Sequence, residues 1–90
     1  MAGYRLLVKP SAVKEIESIG TKRDRRRIVS CIEALAAEPR APGCEKLAGP
    51  SALFRVRQGQ YRVIYSVDDA RHTVEVVKVG HRREVYRNVR

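Results

Sequence analysis

Three arginines, Arg55, Arg57 and Arg62, stand in a stretch from Leu53 to Val67 that contains no Asp or Glu. Guanidinium groups are planar and always charged, and they match phosphate oxygens in two-pronged geometry. Tyr61 and Tyr65 share the stretch, and a tyrosine ring is a stacking surface for an unpaired base. Like charges crowded on one sheet face repel, so a folding-only account would need carboxylates interleaved with them. With none in the stretch, the expected partner is external, and a nucleic-acid backbone fits it. The alternative is that these arginines form the solvent face of a two-layer domain.

Chemistry of this kind needs a scaffold that sets the three side chains on one side. Phe54 and Val56 alternate with Arg55 and Arg57, and Tyr61, Val63, Tyr65 and Val67 alternate with Arg62, Ile64 and Ser66. Two period-2 runs separated by Gly59-Gln60 predict a β-hairpin. A two-residue loop sets Val63 across from Val56 and Tyr65 across from Phe54; a three-residue loop would oppose Arg62 to Val56. The even loop puts Arg57 directly opposite Arg62, with Arg55 two residues along the same face and the apolar side packed on helices.

Those helices lie upstream. Tyr4 to Lys9 is a strand-forming segment stopped by Pro10. Val13, Ile16 and Ile19 predict a short amphipathic helix from Ser11 with one buried stripe, Lys14, Glu15, Glu17 and Ser18 lying off it, and Gly20 ends it. Thr21 and Asp24 form a capping pair for a second helix that buries Ile28, Ile32 and Leu35, makes Cys31 a small core residue and closes at Glu38-Pro39. Arg40 to Pro50 reads as a loop of about ten residues, with Cys44 exposed in it. After a turn at Asp68-Asp69-Ala70, with His72 at the surface, Thr73 to Val79 predicts a strand with neighbours on both sides, ended by Gly80. The tail from His81 to Arg90 is expected as a single helical turn or a frayed end.

Ninety residues allow one domain spanning 1–90. Apolar residues at 43%, in periodic runs, argue for folding rather than a disordered basic tail. The balance of 19 Lys and Arg against 10 Asp and Glu gives +9, which attracts polyanions in general. No apolar run is long enough for a membrane span or a signal peptide, so no membrane role and a cytoplasmic setting are expected. Cys31 and Cys44 carry no CxxC and no paired His, which argues against a zinc site; no metal or cofactor is expected.

The ordered set Lys46-Leu47-Ala48-Gly49, Leu53-Phe54-Arg55-Val56-Arg57, Gly59-Gln60-Tyr61-Arg62-Val63-Ile64-Tyr65, Val79-Gly80-His81-Arg82 and Glu84-Val85-Tyr86 resembles the RelE/ParE superfamily of toxins, its RelE branch in particular, over essentially the whole chain. The resemblance implies an α+β two-layer fold: an N-terminal strand, a two-helix hairpin, a three-stranded antiparallel meander and a short C-terminal helix or tail. It implies a ribosome-dependent mRNA interferase that enters the decoding site and cuts the bound codon. The family's active-site positions fall on Arg55, Arg57, Arg62, Arg82 and Tyr86, with Lys46 and His81 beside them as RNA contacts.

Metal-free RNA cleavage proceeds when the 2′-hydroxyl attacks the adjacent phosphorus. The site must hold that hydroxyl in line, take its proton, neutralise charge on the phosphoryl oxygens and protect the leaving 5′-oxygen. Arg57, Arg62 and Arg82 suit charge neutralisation, and Tyr86 suits stacking or proton removal. Familiar members carry lysines where Arg55 and Arg57 stand here, and an arginine is a poor base, so the base is left open. His81 is suited to proton transfer, but neighbours in an extended segment face opposite sides, which turns it from Arg82. The ParE branch shares the fold and poisons DNA gyrase by protein contacts, and a non-catalytic RNA-binding module is a third reading. Either toxin reading implies a cognate antitoxin, with a free monomer and a toxin–antitoxin hetero-oligomer.

Overall fold

The computed structural model describes residues 3–40, 42–47, 49 and 52–81. Two helices cover one face of a five-stranded sheet, whose strands run β1 (Arg5–Val8), β2 (Glu45–Lys46), β3 (Leu53–Gln58), β4 (Tyr61–Asp68) and β5 (Thr73–His81). Helices α1 (Pro10–Glu17) and α2 (Lys22–Ala37) lie between β1 and β2 in the chain. The sheet order is β1-β5-β4-β3-β2, with β1 parallel to β5 and the other pairs antiparallel. The helical crossover from β1 makes the parallel pairing possible. The meander β3-β4-β5 is as expected. The loop expected from Arg40 to Pro50 contains β2, and that adds a fifth strand.

The hairpin has the register its pattern demands: Phe54 opposes Tyr65, Val56 opposes Val63 and Arg57 opposes Arg62. Gly59 takes φ 62° at the first turn position, where a type II′ hairpin requires a positive angle. Alternation then separates two sets of side chains. Phe54, Val63, Tyr65, Val74, Val76 and Val79 join Ile28, Ile32 and Leu35 of α2 in the core. Ile64 is also fully buried but stands apart from that cluster, on the alternate face.

Pro10 opens α1 at its first position, where a missing N–H is harmless. Its buried stripe differs from the expected one. Ala12 is fully buried and Ile19 nearly so, Ile16 packs at the core margin, and Val13 is 39% exposed. At the start of α2, Thr21 Oγ1 accepts the Asp24 N–H at 3.1 Å, and Ile28, Ile32 and Leu35 are buried as their spacing requires. Cys31 is not the core residue expected: it is half-buried outside the core cluster, and that burial pushes its thiol pKa up. Cys44 is not exposed as expected: it packs against the core beside Tyr65.

Candidate functional site

Cross-strand register assigns the faces. Because side chains opposite one another share a side, Arg57 and Arg62 face each other on the side of the sheet away from the helices, and Arg55 joins them two residues along. Arg62 is only 8% exposed, its Nε is buried without a hydrogen-bond partner, and Arg57 opposite is exposed. Among the described residues neither Arg57 nor Arg62 forms an ion pair. On its other side Arg62 is paired with Gly80, which contributes no side chain. A buried cation left unpaired is costly, and among the described residues nothing offsets that cost at Arg62. Two adjacent guanidiniums bind and neutralise a phosphodiester well.

Arg55 departs from the expectation of an external partner. Glu45 of β2 lies opposite it across the strand pair and forms an ion pair with it. The carboxylate absent from the hairpin arrives from a strand of two residues, too short for any periodic signal. Lys46 is exposed and opposite Phe54, so it falls on the helix side and is not brought to the arginine pair. His81 is likewise drawn away. It is opposite Tyr61, which packs at the core margin, and the two rings meet edge to face at 5.9 Å. Arg82 and Tyr86 lie outside the described residues.

Sequence reasoning missed Glu15. Strand β1 ends at Val8, whereas β5 runs on to His81, so the outer edge of β5 loses its strand neighbour after Val76. A register shift between Ile64 and Tyr65 marks a bulge at the same level. Glu15 of α1 fills the gap: Oε1 accepts the Val79 N–H at 2.9 Å and Oε2 accepts the Lys78 ammonium. A helix carboxylate thus replaces a missing strand and holds the end of β5 that faces Arg62.

A second polar cluster ties the other end of the sheet together. Asp69 accepts the Tyr4 hydroxyl at 2.7 Å and both terminal nitrogens of Arg40 at 3.2 and 2.8 Å. The Arg40 hydrogen bonds, then that of Tyr4, hold the Asp69 carboxyl below its usual range. His72, exposed at φ 51°, stacks on Tyr4 with centroids 4.5 Å apart. Tyr65 donates to the Pro39 carbonyl at 2.6 Å, and burial first, then the nearby cysteines, pushes its phenol pKa up. Among the described residues no His/Cys/Asp/Glu group could hold a metal ion, and no helix is long and apolar enough to cross a membrane.

Comparison with known proteins gives a consistent result. Residues 6–86 match the family model described as ParE toxin of type II toxin-antitoxin system, parDE. A curated relative, Toxin RelE of Mycobacterium tuberculosis, is 25% identical over 84 residues, covering 93% of this chain and 87% of that protein. A chain of the archaeal RelE-RelB complex from Pyrococcus horikoshii superposes with a TM-score of 0.80 at 31% identity, covering 92% of this chain and 99% of that one. A chain of the RelBE2 toxin–antitoxin complex from Mycobacterium tuberculosis gives 0.78 at 26% identity, covering 93% and 97%.

Proposed function

Since the chain belongs to the ParE toxin family of type II toxin–antitoxin systems within the RelE/ParE superfamily, we propose that it is a RelE-type mRNA interferase, cutting mRNA in the ribosomal A site without a metal. The observation that carries this reading is the facing pair Arg57 and Arg62, the latter nine-tenths buried with an unpartnered Nε. A toxin acting through protein contacts alone has no use for a buried unpaired cation.

In this reading the scissile phosphate sits between the two guanidiniums. As the 2′-oxygen attacks phosphorus and the bond to the 5′-oxygen breaks, negative charge grows on the non-bridging oxygens and the arginines neutralise it. The 2′-hydroxyl proton leaves to a base and the 5′-oxygen takes one up, giving a 2′,3′-cyclic phosphate and a 5′-hydroxyl. Arginine is too weak an acid to serve as the base, and His81, turned toward Tyr61, is poorly placed for it. Tyr86 is assigned to base stacking or proton transfer, and Arg82 to the phosphate. Arg55, already paired with Glu45, serves to hold RNA alongside.

The family model's ParE description supports a second reading, inhibition of DNA gyrase by binding. Adding the purified protein to programmed ribosomes and mapping mRNA 5′ ends separates the two. Cuts within the A-site codon are expected; their absence together with gyrase inhibition overturns the proposal. Several structural relatives are toxin–antitoxin complexes, and we assign this chain a cognate antitoxin too. Coexpression with the product of the adjacent gene is expected to yield a stable complex.

A further inference from the structure

We propose that Glu45 is the general base of the cutting site, the group that takes the proton from the attacking 2′-hydroxyl. This rests on the reading of the chain as a ribonuclease, and it supplies the proton acceptor that the arginines cannot be.

A base for this reaction must lie within hydrogen-bond reach of an oxygen that itself stands about 3–3.5 Å from the phosphorus. It must also be unprotonated near neutral pH. Arg55, Arg57 and Arg62 fail on the second count, since a guanidinium keeps its proton. The described imidazoles fail on the first: His81 meets the Tyr61 ring, and His72 stacks on Tyr4 at the other end of β5. The described phenols are engaged elsewhere, Tyr4 with Asp69, Tyr65 with the Pro39 carbonyl and Tyr61 at the core margin.

Register then separates the carboxylates. Glu15 is held by Lys78 and the Val79 N–H, and Asp69 by Arg40 and Tyr4. Glu75 opposes Ser66, four residues along β4 from Arg62, a separation of about 13 Å. Glu45 opposes Arg55 and so shares its side of the sheet, where Arg57 is its diagonal neighbour. Diagonal pairs stand about 7–8 Å apart, within reach of long side chains. Among the described residues no other carboxylate comes within one diagonal step of Arg57 on that side.

The ion pair with Arg55 suits the role. Arg55 Nη2 meets Glu45 Oε1, and a carboxylate has a second oxygen to offer. The Arg55 side chain is 16% exposed and that of Glu45 is 56% exposed, so a packed cation aims an accessible carboxylate. A base oriented by a third group is the general arrangement for activating an attacking hydroxyl. An ion pair with so exposed a partner adds little to stability, so folding alone has small need of it.

In the step, Glu45 takes the 2′-hydroxyl proton as the 2′-oxygen bonds to phosphorus. The bond from phosphorus to the 5′-oxygen breaks, and that oxygen takes a proton from water. Arg57 and Arg62 neutralise the charge on the non-bridging oxygens, and Glu45 returns its proton to solvent.

The test is single-turnover cleavage of mRNA on programmed ribosomes, at several toxin concentrations. Glu45→Gln keeps an oxygen for Arg55 but accepts no proton, and it should lower the maximal rate by about 10²- to 10⁴-fold. The concentration giving half the maximal rate and the melting temperature should stay as in the unaltered chain. Glu45→Asp should recover part of the rate, and Arg55→Gln should cost less than Glu45→Gln. An mRNA with sulfur in place of the scissile 5′-oxygen has a leaving group that needs no proton, so the loss in Glu45→Gln should persist on it. Wild-type rates in Glu45→Gln would overturn the proposal and leave the nuclease reading standing. Rescue by the sulfur substrate would place Glu45 at the leaving group instead, and equal losses in Glu45→Gln and Arg55→Gln with no further loss in the double variant would reduce it to a support for Arg55. If the unaltered protein makes no cuts, the nuclease reading and the base fall together.

Discussion

The two faces of the β3-β4 hairpin are built from alternate residues of the same strands, yet they obey opposite rules. On the helix side Phe54, Val63 and Tyr65 are buried among valines and isoleucines, and Tyr65 has its hydroxyl satisfied by Pro39. On the side away from the helices Arg57 meets Arg62, and a buried Nε is left without a partner. A sheet optimised for stability alone would carry threonines, or charges of opposite sign, at that facing pair. The proposed function rests on this contrast, since residues that break the local rules of a fold are the ones expected to serve a use beyond it.

The contrast is broken most severely at Arg62. Arg62→Gln is expected to lower cleavage of ribosome-bound mRNA by about 10²- to 10³-fold, the loss typical of one donor to transition-state charge. It should leave the melting temperature unchanged or raise it, because it relieves repulsion with Arg57 and removes a buried unpaired cation. A variant that loses stability in step with activity would show that Arg62 belongs to the scaffold.

On the helix side the same operation should do the reverse. Tyr65→Phe removes the donor to the Pro39 carbonyl and leaves a buried acceptor unsatisfied, costing about 1–3 kcal/mol. Urea unfolding should report the loss, while the folded fraction cleaves normally. A parallel loss of cleavage with unchanged stability would dissolve the division between the faces.

How much of this division was legible in the sequence depended on repetition. The hairpin register followed from two period-2 runs and a glycine loop, and the core of α2 from Ile28, Ile32 and Leu35. Elements that work as single instances left no trace. Strand β2 has two residues, so Glu45 could not be recognised as the partner of Arg55. Glu15 reads as a solvent-facing charge unless β1 is known to end short of β5, and Val13 reads as part of the stripe because it resembles its neighbours, although the fold buries Ala12 instead. Of the site itself, the facing arginines were legible. The displacement of Lys46 was not, because it required knowing that its cross-strand neighbour is Phe54, whereas alternation alone already turns His81 from Arg82.

Glu15 links the two regimes, because it holds the stretch of β5 that lies opposite Arg62. Glu15→Ala leaves the Val79 amide without its acceptor and should cost about 1–2 kcal/mol, with faster amide exchange at Val79 than at Val74. Glu15→Gln keeps an oxygen for that amide and should recover most of the loss, leaving only the part due to Lys78. Equal damage from both variants would assign the effect to the ion pair instead.

The smallest effect expected lies at the far end of the sheet, in the turn that Asp69 closes with Arg40 and Tyr4. There the carboxyl titrates below its ordinary value, chiefly because of the Arg40 hydrogen bonds. A carboxyl whose folded pKa lies below its unfolded one favours the folded state when ionised. Its contribution is therefore complete above the unfolded value, near pH 4, and disappears as the pH falls through the lower folded value. Asp69→Asn should lower the melting temperature slightly at pH 6, and the gap to the unaltered chain should narrow steadily below pH 4. Because the group is exposed, solvent and salt screen the interaction, and raising the ionic strength at pH 6 should shrink the gap as well. A gap that persists unchanged at pH 3 would mean that Asp69 acts through the shape of the turn rather than through its charge.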